Sequence, residues 1–161
     1  MNSKIICTGS YIPPKTKYNN TFLNHSFLDV DGNPIPSEND EIINKFESIT
    51  GIKERKYVSY SLTSSDIGFE ASKNAIKTSN IDPETIDYII LAHNIGDVAQ
   101  GSNQVDAMPS LASRVKSKLG IENPNCVAYD ILFGCPGWLE GVIQAHAFIK
   151  AKMANRCLVI G

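Results

Sequence analysis

Cys135 is the residue of this chain with the clearest potential for chemistry. It lies in the segment LFGCPGWLEG, residues 132–141. An apolar run over residues 126–131 predicts a strand before it, and residues 136–152 predict a helix after it. Cys135 is therefore expected at a strand-to-helix turn, where free backbone N–H groups and the helix dipole favour a thiolate. A thiolate there suits covalent catalysis.

The residues around Cys135 fit this interpretation. Gly134 and Gly137 leave room for a substrate, and Pro136 suits the first helical position, which needs no N–H donor. The alternative is that Cys135 is a small apolar core residue, as lone cysteines commonly are. The other three cysteines lie in apolar, strand-like runs and are predicted to be ordinary buried thiols: Cys7, Cys126 and Cys157.

A cysteine nucleophile usually needs a base, and the histidines supply no convincing one. His146 follows on the predicted helix after Cys135, roughly 16 Å along its axis, which is too far for a hydrogen bond. His25 lies in an irregular stretch that we expect at the surface. His93 ends a predicted strand, where a satisfied or solvent-facing histidine is the simpler interpretation, although it could line a site.

Composition narrows the class of protein. The 161 residues suit one domain spanning 1–161, with 42% hydrophobic and 20% charged residues. A formal net charge of −2 gives no reason to expect nucleic acid or an anionic membrane as a partner. Four cysteines without a CxxC pair predict neither a zinc site nor a disulfide scaffold. We therefore expect a reducing, cytoplasmic setting, with no signal peptide and no membrane span.

Alternating helix and strand patterns predict an α/β fold. Strands are expected at residues 4–8, 87–93, 126–131 and 156–160, in a mixed, mostly parallel sheet with helices on both faces. Residues 13–36 read as an irregular excursion, and Ser37 as the cap of the helix that follows.

The helix after Cys135 is predicted to be buried at the centre of the fold. Gly137, Gly141 and Ala145 recur every four residues, and apolar side chains surround most of the helix. The chain ends inside a strand pattern at residues 157–161, so we expect it to be the first part of a larger fold.

Several motifs together carry a resemblance to a known family. They are TGIKER at residues 50–55, IDP at 81–83 before DYIILA at 87–92, MPS at 108–110 before a helix ending in LG at 119–120, the Cys135 turn, and CLVIG at 157–161. In this order and spacing, the sequence resembles the N-terminal half of a β-ketoacyl-acyl-carrier-protein synthase III, one of the thiolase-like condensing enzymes.

The resemblance implies a fold of two similar halves, of which this chain is the thiolase-like N-terminal one. Cys135 matches the acyl-accepting cysteine, while the histidine and asparagine that assist condensation lie in the other half. Met108 matches a residue that reaches across a homodimer into the partner's acyl pocket, and Phe133 is expected to contact substrate. The implied partners are an acyl-carrier protein and a small-molecule thioester. No cofactor or metal is implied.

Two positions depart from the family pattern. Lys45 and Ile49 stand where related enzymes place the Trp and Arg that hold the adenine end of coenzyme A. We therefore predict a specialised homologue, in fatty acid or related lipid or polyketide synthesis, whose primer arrives on a carrier protein.

Two alternatives stay open at this point. The first is a condensing enzyme that uses coenzyme A thioesters throughout, such as a 3-hydroxy-3-methylglutaryl-coenzyme A synthase. The second is a non-catalytic half-fold that acts as an interaction module. For the condensing-enzyme interpretation, we expect this chain alone to be inactive in condensation and to associate in order to fold stably, because its apolar central helix would otherwise be exposed.

Overall fold

The regular elements lie in two units of a computed structural model that describes residues 3–161. One unit comprises the chain up to Tyr11 together with Tyr60–Gly161, and the other is Ile12–Ser59. In chain order the elements are β1 (Lys15–Tyr18), α1 (Asn39–Thr50), β2 (Glu54–Tyr57), α2 (Ser64–Ser79), β3 (Tyr88–His93), α3 (Leu111–Lys118), β4 (Val127–Leu132), α4 (Gly137–Lys150) and β5 (Cys157–Ile160). Short 3-10 turns span Asn19–Phe22 and Pro83–Thr85.

A parallel sheet of three strands forms the frame of the larger unit. Its order is β4-β3-β5, so the central strand is β3, where Ile90 pairs with Tyr129 on one side and Val159 on the other. Ile89 and Ile90 are both fully buried. A central parallel strand is covered on both faces, which explains why β3 reads as a continuous apolar run.

Helices cover both faces of this sheet. Helices α2 and α3 cover the face that carries Ile89 and Leu91, where Leu111, Val115 and Ile160 complete the hydrophobic core. Helix α4 lies on the opposite face. The predicted α/β class, with helices on both faces, is confirmed.

Helix α4 contacts the sheet through its smallest residues. Gly137, Gly141 and Ala145 are its buried positions, as the four-residue spacing predicted. The outer face of α4 is different, because Trp138 is 44% exposed and Ile143 is 53% exposed. Within residues 3–161, helix α4 is therefore buried only on the face that packs against the sheet, and not on all sides as predicted.

The smaller unit pairs β1 with β2 in antiparallel register. Arg55, from the TGIKER segment, donates from Nη1 to Oδ1 of the buried Asn19 at 2.8 Å, and Nδ2 of Asn19 donates to the carbonyl of Ile52 at 2.9 Å. Gly51 ends α1 with a φ of 67°, which favours glycine. The segment that carries the family resemblance thus closes α1 and anchors the turn after β1.

Three local predictions were wrong. Residues 4–8 are not a strand: Ile5 and Ile6 are 68% and 53% exposed, so no buried face stabilises one. A short strand, β1, lies inside the predicted irregular excursion, where its partner β2 supplies the backbone hydrogen bonds. The cap of α1 is Glu38, with no side-chain hydrogen bond, and not Ser37.

Among the described residues, no helix has the length and apolar character that crossing a membrane would require. The expectation of one domain over residues 1–161 stays a prediction.

The packing of α4 on the sheet generates a stability prediction. A Cβ atom on Gly141 would lie 2.7 Å from Cγ1 of Val159, so Gly141→Val should lower the free energy of unfolding by about 1–3 kcal/mol. Urea unfolding measures the change. The matched control is Ala147→Val on the same helix, at an exposed position, which should change stability by less than about 0.5 kcal/mol. Equal effects of the two variants would contradict the close approach.

Candidate functional site

Cys135 lies in the turn between β4 and α4, as predicted. The turn is closed by the N–H of Gly137, which donates to the carbonyl of Gly134 at 2.8 Å. Pro136 is the N-cap, and Glu140 donates its N–H to the Pro136 carbonyl at 3.0 Å. Pro136 therefore precedes the first helical residue, one position earlier than predicted. The side chain of Cys135 is exposed at the start of α4.

Contacts on both sides of the turn fix its position. A Cβ on Gly137 would lie 2.9 Å from Cβ of Ala92 and 3.3 Å from Cβ of Phe133, so glycine is needed for this close approach. The N–H of Phe133 donates to the carbonyl of His93 at 3.1 Å, which extends the pairing of β3 and β4 by one step. Cys135 therefore lies two residues beyond the last hydrogen bond between β3 and β4.

The other cysteines occupy different environments. Burial raises the pKa of the Cys126 thiol, and burial raises the pKa of Cys157 to about 11. Cys7 is partly exposed and lies in an irregular segment rather than in the predicted strand. Within residues 3–161, Cys135 is the one exposed cysteine, which makes it the most accessible nucleophile of this type.

His93 is held in a structural network, which confirms the simpler interpretation of this residue. Its Nδ1 accepts the N–H of Gly96 at 2.9 Å, so Nε2 carries the proton and donates to Oδ2 of Asp130 at 3.0 Å. The Asp130 carboxylate also accepts the N–H groups of Leu111 at 2.7 Å and Ala112 at 2.8 Å. Asp130 therefore ties β3 to β4 and satisfies free donors at the start of α3.

Sequence reasoning missed Asp130. The available signal was a single carboxylate inside an otherwise apolar strand, because a buried acid requires hydrogen-bond partners. The identity of those partners depends on contacts distant in sequence.

The remaining candidate residues lie at exposed positions. Met108 is 82% exposed and Phe133 is 48% exposed, both in the unit that contains Cys135. Lys45 and Ile49 lie in the smaller unit, on the exposed part of α1. Their contacts with substrate stay predictions.

Across residues 3–161 there is no cluster of three His, Cys, Asp or Glu side chains that could hold a metal ion. A cleft of about 310 Å³ lies elsewhere, and none of the candidate residues lines it. Its walls are Phe69, Lys73, Ile76, Lys77, Pro83, Lys118 and Leu119.

The chain is similar in sequence to several known proteins. No family model matches. The chain is 35% identical over 161 residues to β-ketoacyl-acyl-carrier-protein synthase III 1 of Vibrio vulnificus, and this match covers 100% of the chain and 44% of that relative. Similar matches to other proteins of this name cover 43–44% of their length. The chain thus spans less than half the length of these curated relatives.

Solved structures agree with the sequence comparison. The synthase III of Thermus thermophilus matches with a TM-score of 0.73 and 29% identity, over 98% of this chain and 41% of that one. The synthase III of Aquifex aeolicus matches with a TM-score of 0.71 and 27% identity, over 96% of this chain and 42% of that one. The predicted resemblance to the β-ketoacyl-acyl-carrier-protein synthase III family, with its thiolase-like fold, is thereby confirmed across this chain.

Proposed function

We propose that this chain supplies the acyl-accepting half of a condensing acyltransferase, with Cys135 as the nucleophile. The observation that carries the proposal is the exposed thiol at the start of α4, in a chain similar throughout to β-ketoacyl-acyl-carrier-protein synthases III. The physical argument is that free N–H groups and the helix dipole stabilise negative charge at this place. A stabilised thiolate is the reactive form of cysteine.

In the first step, Cys135 accepts an acyl group from a thioester. The thiolate attacks the carbonyl carbon, and a new C–S bond to Cys135 forms. The C–S bond to the donor breaks, and the donor's sulfur leaves as a thiolate that takes up a proton. Since negative charge develops on the carbonyl oxygen during attack, the N–H of Cys135 itself is a suitable donor to that oxygen.

In the second step, a malonyl thioester on acyl-carrier protein loses carbon dioxide. The electron pair released from its C–C bond attacks the acyl carbonyl, a new C–C bond forms, and Cys135 leaves as a thiolate. The product is a β-ketoacyl thioester. The family resemblance assigns the assisting histidine and asparagine to the half of the fold that this chain does not represent, which agrees with the structural role of His93.

Substrate contacts follow from the same resemblance. Met108 and Phe133 are proposed to line the acyl pocket, Met108 from across a homodimer. Lys45 and Ile49 stand at the positions where the resemblance places contacts with coenzyme A, and they offer neither a stacking ring nor an arginine. The proposal therefore favours an acyl-carrier protein as the donor, in a cytoplasmic pathway of fatty acid or related lipid synthesis, with no organic cofactor.

Thiol reactivity is the first prediction. With iodoacetamide at pH 7.5, Cys135 should alkylate faster than each of the other cysteines, because it is exposed while burial raises the pKa of Cys126 and Cys157. Labelling of Cys157 should increase as the pH rises toward its pKa of about 11. Peptide mass spectrometry after limited labelling measures the rates. The partly exposed Cys7 is the comparison for a thiol away from a helix terminus, and equal rates for Cys7 and Cys135 would contradict thiolate stabilisation at the helix terminus.

Primer choice is the second prediction. In the full-length protein, carrier-bound acyl groups should give more β-ketoacyl product than the same acyl groups on coenzyme A. Missing stacking and cation contacts are worth roughly 0.5–2 kcal/mol each. Restoring them with Lys45→Trp and Ile49→Arg should raise the efficiency of coenzyme A primers selectively.

The control for that assay is a variant that lacks the proposed nucleophile. Cys135→Ala should abolish product from both donors, whereas Cys7→Ala should leave it intact. Product formation by Cys135→Ala would overturn the proposed function. Equal use of both donors by the wild-type protein would overturn only the inference from Lys45 and Ile49.

A further inference from the structure

A buried carboxylate anchors the loop that carries Met108. Asp97 is only 4% exposed. Its Oδ1 accepts the N–H of Ser65 at 2.8 Å, and its Oδ2 accepts the hydroxyl of the same serine at 2.7 Å. Arg114 Nη1 donates to Oδ2 of Asp97 at 3.0 Å. The Arg114 guanidinium is thus the ion-pair partner of this buried carboxylate.

The Arg114 guanidinium also donates hydrogen bonds to two further residues of the loop. Nη2 of Arg114 donates to Oδ1 of Asp106 at 2.6 Å, and Nε donates to the carbonyl of Pro109 at 3.0 Å. Asp97 and Asp106 are also joined by two backbone hydrogen bonds of 3.1 and 2.8 Å. The hydrogen bond from Arg114 lowers the pKa of Asp106, so this acid stays ionised at neutral pH. One planar side chain thus holds three separate points of the loop.

Two of those points flank Met108. The Met108 side chain is 82% exposed, so within this chain packing does not hold it. Asp106 and Pro109, two residues before and one residue after it, are both held by Arg114. The guanidinium thus holds the backbone on both sides of Met108.

We infer that Arg114 is a positioning residue that sets acyl-chain selectivity by fixing the loop around Met108. The inference rests on the proposed function, which places Met108 in an acyl pocket. Lysine cannot replace Arg114 fully, because its single ammonium lacks the planar fork that meets three acceptors in different directions. Asp97 and Asp106 contribute because their carboxylates accept the hydrogen bonds that orient the guanidinium.

The test compares Arg114→Gln and Arg114→Lys in the full-length protein. Hydrogen–deuterium exchange of the amides of residues 97–108 reports the loop directly, without any dependence on activity. We expect exchange there to accelerate about tenfold in Arg114→Gln and less in Arg114→Lys, since hydrogen bonds to charged groups are lost or weakened. Arg156→Gln, an exposed arginine outside the network, should leave exchange unchanged.

Selectivity is read as the ratio of kcat/KM for a short and a long acyl primer. Arg114→Gln should shift this ratio in the same direction as Met108→Ala, and the double variant should shift it no further than Met108→Ala does. A change in overall folding would not reproduce this dependence on Met108.

Three outcomes would overturn the inference without bearing on Cys135. Unchanged exchange of the amides of residues 97–108 in Arg114→Gln would show that Arg114 does not hold the loop. Suppose that Arg114→Gln accelerates exchange but leaves the ratio of kcat/KM for short and long primers unchanged, while Met108→Ala shifts that ratio. This result would refute positioning of Met108 by Arg114. An unchanged ratio in Met108→Ala would refute the role of Met108 itself. A wild-type protein without acyl transfer would instead refute the proposed function and the selectivity inference with it, whereas the exchange result would still decide whether Arg114 holds the loop.

Discussion

The close approach of α4 to the parallel sheet is the constraint on which the position of Cys135 depends. Gly137 and Gly141 allow it, because a Cβ atom at either position would lie within 3 Å of a side-chain atom of the sheet: Cβ of Ala92 or Cγ1 of Val159. With the helix seated at this depth, the turn after β4 has little freedom. The thiol is consequently presented at the helix terminus, where charge stabilisation is strongest.

A second constraint connects this turn to the Met108 loop. Asp130, on β4, binds His93 on β3 and the first N–H groups of α3. Arg114 lies one turn into α3, so the seating of that helix also places the guanidinium that holds the loop. The nucleophile turn and the proposed selectivity loop are thus both built on the carboxyl ends of β3 and β4, the usual location of sites in parallel sheets.

Local signals explain which parts of the fold could be predicted. The apolar run of β3 and the small-residue spacing on α4 each depend on neighbouring residues. The strand expected at residues 4–8 failed because Ile5 and Ile6 gain no burial, which no local pattern reveals. β1 was missed because its stability comes from pairing with β2, far along the chain.

The residues of the candidate site also divide into those that local sequence signals predict and those that depend on distant contacts. Cys135 could be found because the turn, the glycines and the following helix are contiguous. Asp130 and Arg114 could not be assigned, because their partners lie up to 37 residues away in sequence and only the folded sheet brings them together. Long-range polar networks of this kind have no periodicity from which a sequence argument could start.

The most direct test of Cys135 as the acyl acceptor is the mass of the peptide that contains it, after the full-length protein is mixed with an acyl thioester and no malonyl donor. In a digest that preserves thioesters, we expect one added acyl group, located on Cys135 and absent from the same peptide of Cys135→Ala. Acylation of another residue, or no acylation by any carrier-bound or coenzyme A thioester, would contradict it.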